Sequence, residues 1–132
     1  MLKRIHHLGI AVKDLELAKK TLEDALGLVT SAVEEVPTQK VRVAFVPVGE
    51  SRLELLEPTQ EDSTVQKFLE TRGEGFHHIA FETDDLEADL KKAESHGLRL
   101  IDKEPRPGAH GTKVAFIHPK STFGLLIELV QE

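Results

Sequence analysis

Ile5-His6-His7-Leu8-Gly9-Ile10-Ala11-Val12 returns 71 residues later as Phe76-His77-His78-Ile79-Ala80-Phe81-Glu82-Thr83. The correspondence extends outward from both copies. Val12-Lys13-Asp14-Leu15-Glu16 answers Thr83-Asp84-Asp85-Leu86-Glu87, and the segments that follow run to Gly27-Leu28 and Gly97-Leu98. Further on, Val43-Ala44-Phe45-Val46 matches Val114-Ala115-Phe116-Ile117, and Leu53-Glu54-Leu55 matches Ile127-Glu128-Leu129. The offset is 71 for His7 to His78 and for Val43 to Val114, and 74 for Glu54 to Glu128, so only three residues slip along the whole alignment. Self-similarity of this kind decides architecture before any local pattern does. It predicts one domain over residues 1–132 built from two pseudo-symmetric halves, about 4–58 and 76–131.

Each half reads as β-α-β-β-β. In residues 4–12, period-two geometry puts His7, Gly9 and Ala11 on one face and His6, Leu8, Ile10 and Val12 on the other. Asp14 is placed as an N-cap, and Leu15, Ala18, Leu22, Ala25 and Leu26 follow at helical spacing up to Gly27, a C-cap signal. The amphipathic helix so formed covers the apolar strand face. A valine-rich stretch over 28–36 predicts a second strand, and Val41–Val46 and Ser51–Glu57 two more around a turn at Pro47–Glu50. Asp62 or Ser63 can cap a short connecting helix through Phe68 and Leu69 that ends before Gly73-Glu74-Gly75. The second half repeats the plan: a strand over 76–83, a helix capped by Asp84 or Asp85 and closing at Gly97, and strands over 98–102, 113–118 and 124–131, with a loop at 105–111.

Composition narrows the chemistry. The sequence of 132 residues is 39% hydrophobic, enough for a core, and its apolar runs are far shorter than a membrane span. The N-terminus opens almost directly into a strand without a secretory pattern, which predicts a soluble, cytoplasmic protein. With no cysteine, thiolate metal sites, disulfides and thiol nucleophiles are excluded, so any metal is held by His, carboxylate or amide groups. A net charge of -6 argues against a nucleic-acid-binding surface, while leaving room for an anionic small substrate.

One histidine stands on the first strand of each half and one glutamate on the last. A pseudo-twofold axis would bring His7, Glu54, His78 and Glu128 together, and two imidazoles with two carboxylates suit a divalent metal such as cobalt, nickel, iron, manganese or zinc. His7 shares its face with Gly9 and His78 with Ala80, which leaves space beside each ligand; His6 and His77 point toward the helices. The alternative is a set of ordinary strand histidines with solvent-facing edge glutamates. Recurrence of all four at matched positions favours ligation. His96 reads as a helix C-terminal residue facing the dipole, and His110 and His118 as loop residues.

The paired modules and the His, Glu, His, Glu set resemble the vicinal oxygen chelate superfamily, whose members close two βαβββ units into an eight-stranded open barrel around a divalent metal. Within it, Glu54-Leu55-Leu56-Glu57-Pro58 with Asp62-Ser63, then Gly75-Phe76-His77-His78-Ile79-Ala80, and His118-Pro119-Lys120-Ser121 with Leu126-Ile127-Glu128-Leu129 resemble the methylmalonyl-CoA epimerase family over essentially the whole chain. That resemblance implies an α+β fold of the glyoxalase type. It implies a homodimer, metal ligands at His7, Glu54, His78 and Glu128, and a divalent ion, with cobalt favoured. The reaction implied is epimerisation of (R)- and (S)-methylmalonyl-CoA through a metal-stabilised enolate. Removal and return of a proton on opposite faces needs two acid/base groups. Glu128 is expected to supply one, and Glu54 or a metal-held water the other. In some epimerases a glutamate serves there, and alignment through Gln39 and Val41 puts Val43 at its place. Lys120 and Ser121 are the expected substrate-binding residues; Lys120, with Lys103, Arg106 and Lys113, would either meet coenzyme A phosphates or form a solvated basic face. Glyoxalase I, with a similar ligand set, and a metal-free binding protein of the same fold are the competing readings.

Overall fold

The computed structural model describes all residues from Met1 to Glu132. Eight strands and three helices give the expected α+β class: β1 (Leu2–Ala11), α1 (Leu15–Leu26), β2 (Glu34–Val36), β3 (Val41–Val48), β4 (Ser51–Pro58), α2 (Thr64–Arg72), β5 (Gly75–Thr83), α3 (Leu86–Ser95), β6 (Arg106–Pro107), β7 (Lys113–Ile117) and β8 (Ile127–Gln131). The chain divides into two compact units, His7–His77 and Met1–His6 with His78–Glu132. β1 therefore contributes its later residues to the first unit and its opening residues to the second.

In the first unit the strand order is β2-β3-β4-β1. β4 runs parallel to β1 with Gly9 opposite Glu54, and antiparallel to β3 with Phe45 opposite Glu54. On the helix side, Val12, Leu15, Ala44, Val46 and Leu55 form a buried cluster, against which Ile10, Ala18, Leu22 and Val33 pack. The second unit follows the same scheme. β5 runs parallel to β8 with Ala80 opposite Glu128, and β7 is antiparallel to β8 with Phe116 opposite Glu128. Its cluster of Leu86, Leu90, Ala115, Ile117 and Leu129 occupies the corresponding place. Burying a leucine such as Leu15 or Leu86, neither with any exposed surface, contributes roughly 1.5–3 kcal/mol.

The helix starts repeat down to single hydrogen bonds. Leu17 N–H donates to Asp14 Oδ1 at 3.1 Å, and Ala88 N–H donates to Asp85 Oδ1 at 3.2 Å. The first helical N–H of each helix has no intrahelical acceptor. A last-strand side chain supplies one: Leu15 N–H donates to Glu57 Oε2 and Leu86 N–H to Gln131 Oε1, both at 2.9 Å. The carboxylate form also favours the positive end of the α1 dipole. Glu57→Ala is expected to destabilise the fold by about 1–2 kcal/mol, as lost caps do. Glu57→Gln keeps the acceptor and should shift the urea midpoint much less, with an unchanged m-value in both variants.

Two expected strands are corrected. Residues 28–33 and 98–102 do not form strands; β2 starts only at Glu34, and Leu100 makes an isolated bridge to Ile117. The cause is the same in both halves. Ser31 N–H donates to Phe45 O at 2.8 Å, but the Phe45 N–H is taken by the Ser31 hydroxyl oxygen at 2.8 Å rather than by a strand carbonyl. Asp102, 71 positions on, does likewise: Ile101 N–H donates to Phe116 O at 2.9 Å, while Phe116 N–H donates to Asp102 Oδ2 at 2.9 Å. A side chain that captures a ladder donor ends regular pairing. The fourth strand of the second half is instead the two-residue β6, within the segment expected to be all loop, where Arg106 lies opposite Val114. β8 likewise begins at Ile127 rather than 124, because Gly124 and Leu125 close the preceding turn with N–H bonds to Pro119 O and Thr122 O.

Candidate metal centre

Each unit holds one buried imidazole–carboxylate pair. In the first, His7 Nδ1 lies 3.0 Å from Glu54 Oε2, and in the second His78 Nε2 lies 2.8 Å from Glu128 Oε1. All four side chains are 6% exposed or less. Their positions follow from register: the small residue two places after each histidine, Gly9 or Ala80, is the direct partner of the glutamate on the parallel strand. Buried ionisable groups at this density are expensive unless paired or ligating. Within each unit, the carboxylate and the imidazole are donors of a kind that suits a divalent cation.

Aromatic and cationic groups stand beside both pairs. Arg52 Nε lies 3.2 Å from Glu54 Oε2, and its guanidinium is 4.7 Å from the centre of the Phe45 ring. Around Glu128, the Phe116 ring meets His78 edge-on at 5.6 Å between centroids, and Arg106 sits 5.3 Å over Phe116. The two phenylalanines are repeat partners and legible as such. The arginines are not, since one comes from β4 and the other from β6, so no repeat signal pointed to them.

Three further histidines are held by identifiable neighbours. His77 stacks edge-on against Phe68 of α2 at 5.0 Å, on the helix side as expected. His6, buried, places Nε2 at 3.0 Å from Glu132 Oε2. His96 caps α3, its Nδ1 2.9 Å from Lys92 O.

Of the expected substrate-binding residues, Lys120 is exposed on a short turn, Pro119–Ser121, where its N–H donates to His118 Nδ1 at 3.0 Å. Ser121 is committed to that turn: its hydroxyl donates to His118 O at 2.9 Å and accepts from Arg99 N–H at 3.1 Å. Lys103, Arg106 and Lys113 line a cleft of about 840 Å³ along α3 that does not include Lys120, which separates the expected basic group into two places. His118 is held below its ordinary value of 6.5, first by partial removal from water and then by the positive Arg99 and Lys120. The fold thus favours the neutral imidazole over the protonated one. The associated stability is therefore present above the unfolded imidazole value and lost as pH falls through the lower folded one. An NMR titration is expected to place the His118 midpoint below that of an unfolded peptide, and Lys120→Met should raise it; a midpoint at or above the peptide value would contradict this.

The model of the glyoxalase/bleomycin resistance protein/dioxygenase superfamily matches residues 6–116. This chain belongs to that superfamily. Within it, the chain is 38% identical over 133 residues to the ethylmalonyl-CoA/methylmalonyl-CoA epimerase of Cereibacter sphaeroides, covering 99% of each chain. It is 38% identical over 131 residues to the mitochondrial methylmalonyl-CoA epimerase of Homo sapiens, covering 98% of this chain and 74% of that one. A solved methylmalonyl-CoA epimerase in complex with methylmalonyl-CoA and NH4+ superposes with a TM-score of 0.95 at 41% identity, covering 100% of this chain and 96% of that one. The glyoxalase-like fold expected from the sequence is thereby established.

Proposed function

We propose that the chain is a methylmalonyl-CoA epimerase that works with a divalent metal, with His7, Glu54, His78 and Glu128 as the ligand set and cobalt the favoured ion. The observation that carries the metal is the same buried His–Glu pair built independently in each unit. Full-length similarity to epimerases supports the substrate.

The substrate's α-carbon lies between a thioester and a carboxylate, so its proton is the acidic one and its loss gives an enolate. A bound divalent ion would supply Lewis acidity toward oxygens of that unit. Glu128, whose carboxylate would be among the groups holding the ion, takes the proton on one face. Glu54 is better fitted to stay a ligand, because His7 and Arg52 both hold its Oε2. Gly9 and Ala80 keep the space opposite the two glutamates free of side-chain bulk. Lys120, exposed on its turn, meets phosphate of the coenzyme A moiety, while Ser121 shapes the turn that presents it. A homodimer in the cytoplasm completes the reading; no helix is long and apolar enough to cross a membrane.

The test is a coupled assay of epimer inversion on metal-loaded protein, repeated after chelation and after metal is returned. Inversion that is lost and regained supports the proposal. Inversion untouched by complete metal removal would overturn its metal part, and no inversion at all would overturn the activity.

A further inference from the structure

Inversion needs a second proton-transfer group, and the sheet of the first unit narrows the choice to one side chain. Directly opposed residues on neighbouring strands project to the same face, and residues two apart along a strand do too. Starting from Glu54, the register places Phe45 opposite it, Val43 two residues before Phe45, and Glu34 of β2 opposite Val43. Glu34 therefore shares the face that carries Glu54. The adjacent Val33 packs on the other side, against the α1 cluster, as alternation demands. On that face β4 also presents Arg52, Leu56 and Pro58, β3 presents Val41, Val43, Phe45 and Pro47, and β2 presents Glu34 and Val36. Glu34 is the carboxylate there besides Glu54.

Resting on the epimerase reading, we propose that Glu34 is the second acid/base of the reaction. It stands two strands across from Glu54 and two residues along, about 12 Å away at ordinary strand spacing and rise, a separation that accommodates a small acyl unit held at the ligands. Val43, on the strand between them, is short and carries no proton-transfer group. Glu34 is half-buried, whereas Glu54 is nearly inaccessible and fixed by His7 and Arg52. Its partial exposure leaves the Glu34 carboxyl in contact with solvent. In one direction Glu128 removes the α-proton as the C–H bond breaks, and protonated Glu34 gives its proton to the opposite face as the new C–H bond forms. The reverse direction exchanges the roles, and solvent resets both carboxyl groups.

Glu34→Gln keeps shape and removes the titrating group. Inversion is expected to fall about 10²- to 10⁴-fold. In deuterated water one epimer should still lose its α-proton to solvent without inverting, because Glu128 can take a proton and return a deuteron on its own face. The divalent-metal isotherm should match that of the parent protein, and Glu35→Gln, on the opposite face, should leave inversion unchanged. Inversion by Glu34→Gln within threefold of the parent would overturn the proposal while leaving the epimerase reading intact. Joint loss of inversion, exchange and metal binding would also overturn it, by showing a structural role. Absence of inversion in the parent protein would instead remove the reading on which the proposal rests.

Discussion

Glu128→Gln is expected to lower kcat for inversion by about 10²- to 10⁴-fold at saturating metal, with a much smaller effect on KM. The amide is isosteric and can still offer an oxygen to a cation, so it separates ligation from proton transfer better than alanine does. The carboxylate lies on β8, opposite both Ala80 and Phe116, and contacts His78 at 2.8 Å. Its substitution removes charge from a side chain only 4% exposed, where water cannot replace it. The measurement is steady-state inversion at several metal concentrations beside a metal-binding isotherm. Full turnover with metal bound would refute a proton-transfer role for Glu128.

His78→Ala should have the largest effect on stability, roughly 3–5 kcal/mol, from a buried carboxylate left without its hydrogen-bond partner together with the cavity left by the ring. It takes away the imidazole beside the Glu128 carboxylate and the edge-on contact with Phe116. It also opens a cavity at a residue 2% exposed. Metal-free protein should show a lower urea midpoint, and added divalent metal should rescue the variant far less than the parent, since ligand binding stabilises only in proportion to affinity. A midpoint within about 0.5 kcal/mol of the parent, the range of ordinary surface changes, would mean that the pair does not hold the second unit together.

How much of this was legible in the sequence follows from which features repeat. The histidines, the glutamates, the phenylalanines opposite them and the Asp14 and Asp85 caps all recur at offsets of 71 or 74, and repetition exposed them. Strand existence was harder where a side chain competes with the ladder. The valine-rich 28–33 segment has β propensity, yet Ser31 takes the Phe45 N–H for its own hydroxyl, and Asp102 does the same to Phe116. Both competitors are themselves repeat partners, a signal hidden because serine and aspartate do not look alike. Arg52 and Arg106 reach equivalent rings from non-equivalent strands, which no alignment of the halves can reveal. Glu34 was invisible for another reason. Its face depends on the register of a three-residue strand, and a shift by one residue would have turned it to the helix side.

Proton NMR of methylmalonyl-CoA in deuterated water with metal-loaded protein tests the central claim most directly. The account predicts loss of the α-proton signal together with inversion of a single starting epimer, both abolished by chelation. Retention of the α-proton and of configuration, with conversion of a glutathione hemithioacetal under the same conditions, would contradict it in favour of a glyoxalase, and silence toward both substrates would contradict it in favour of a binding protein.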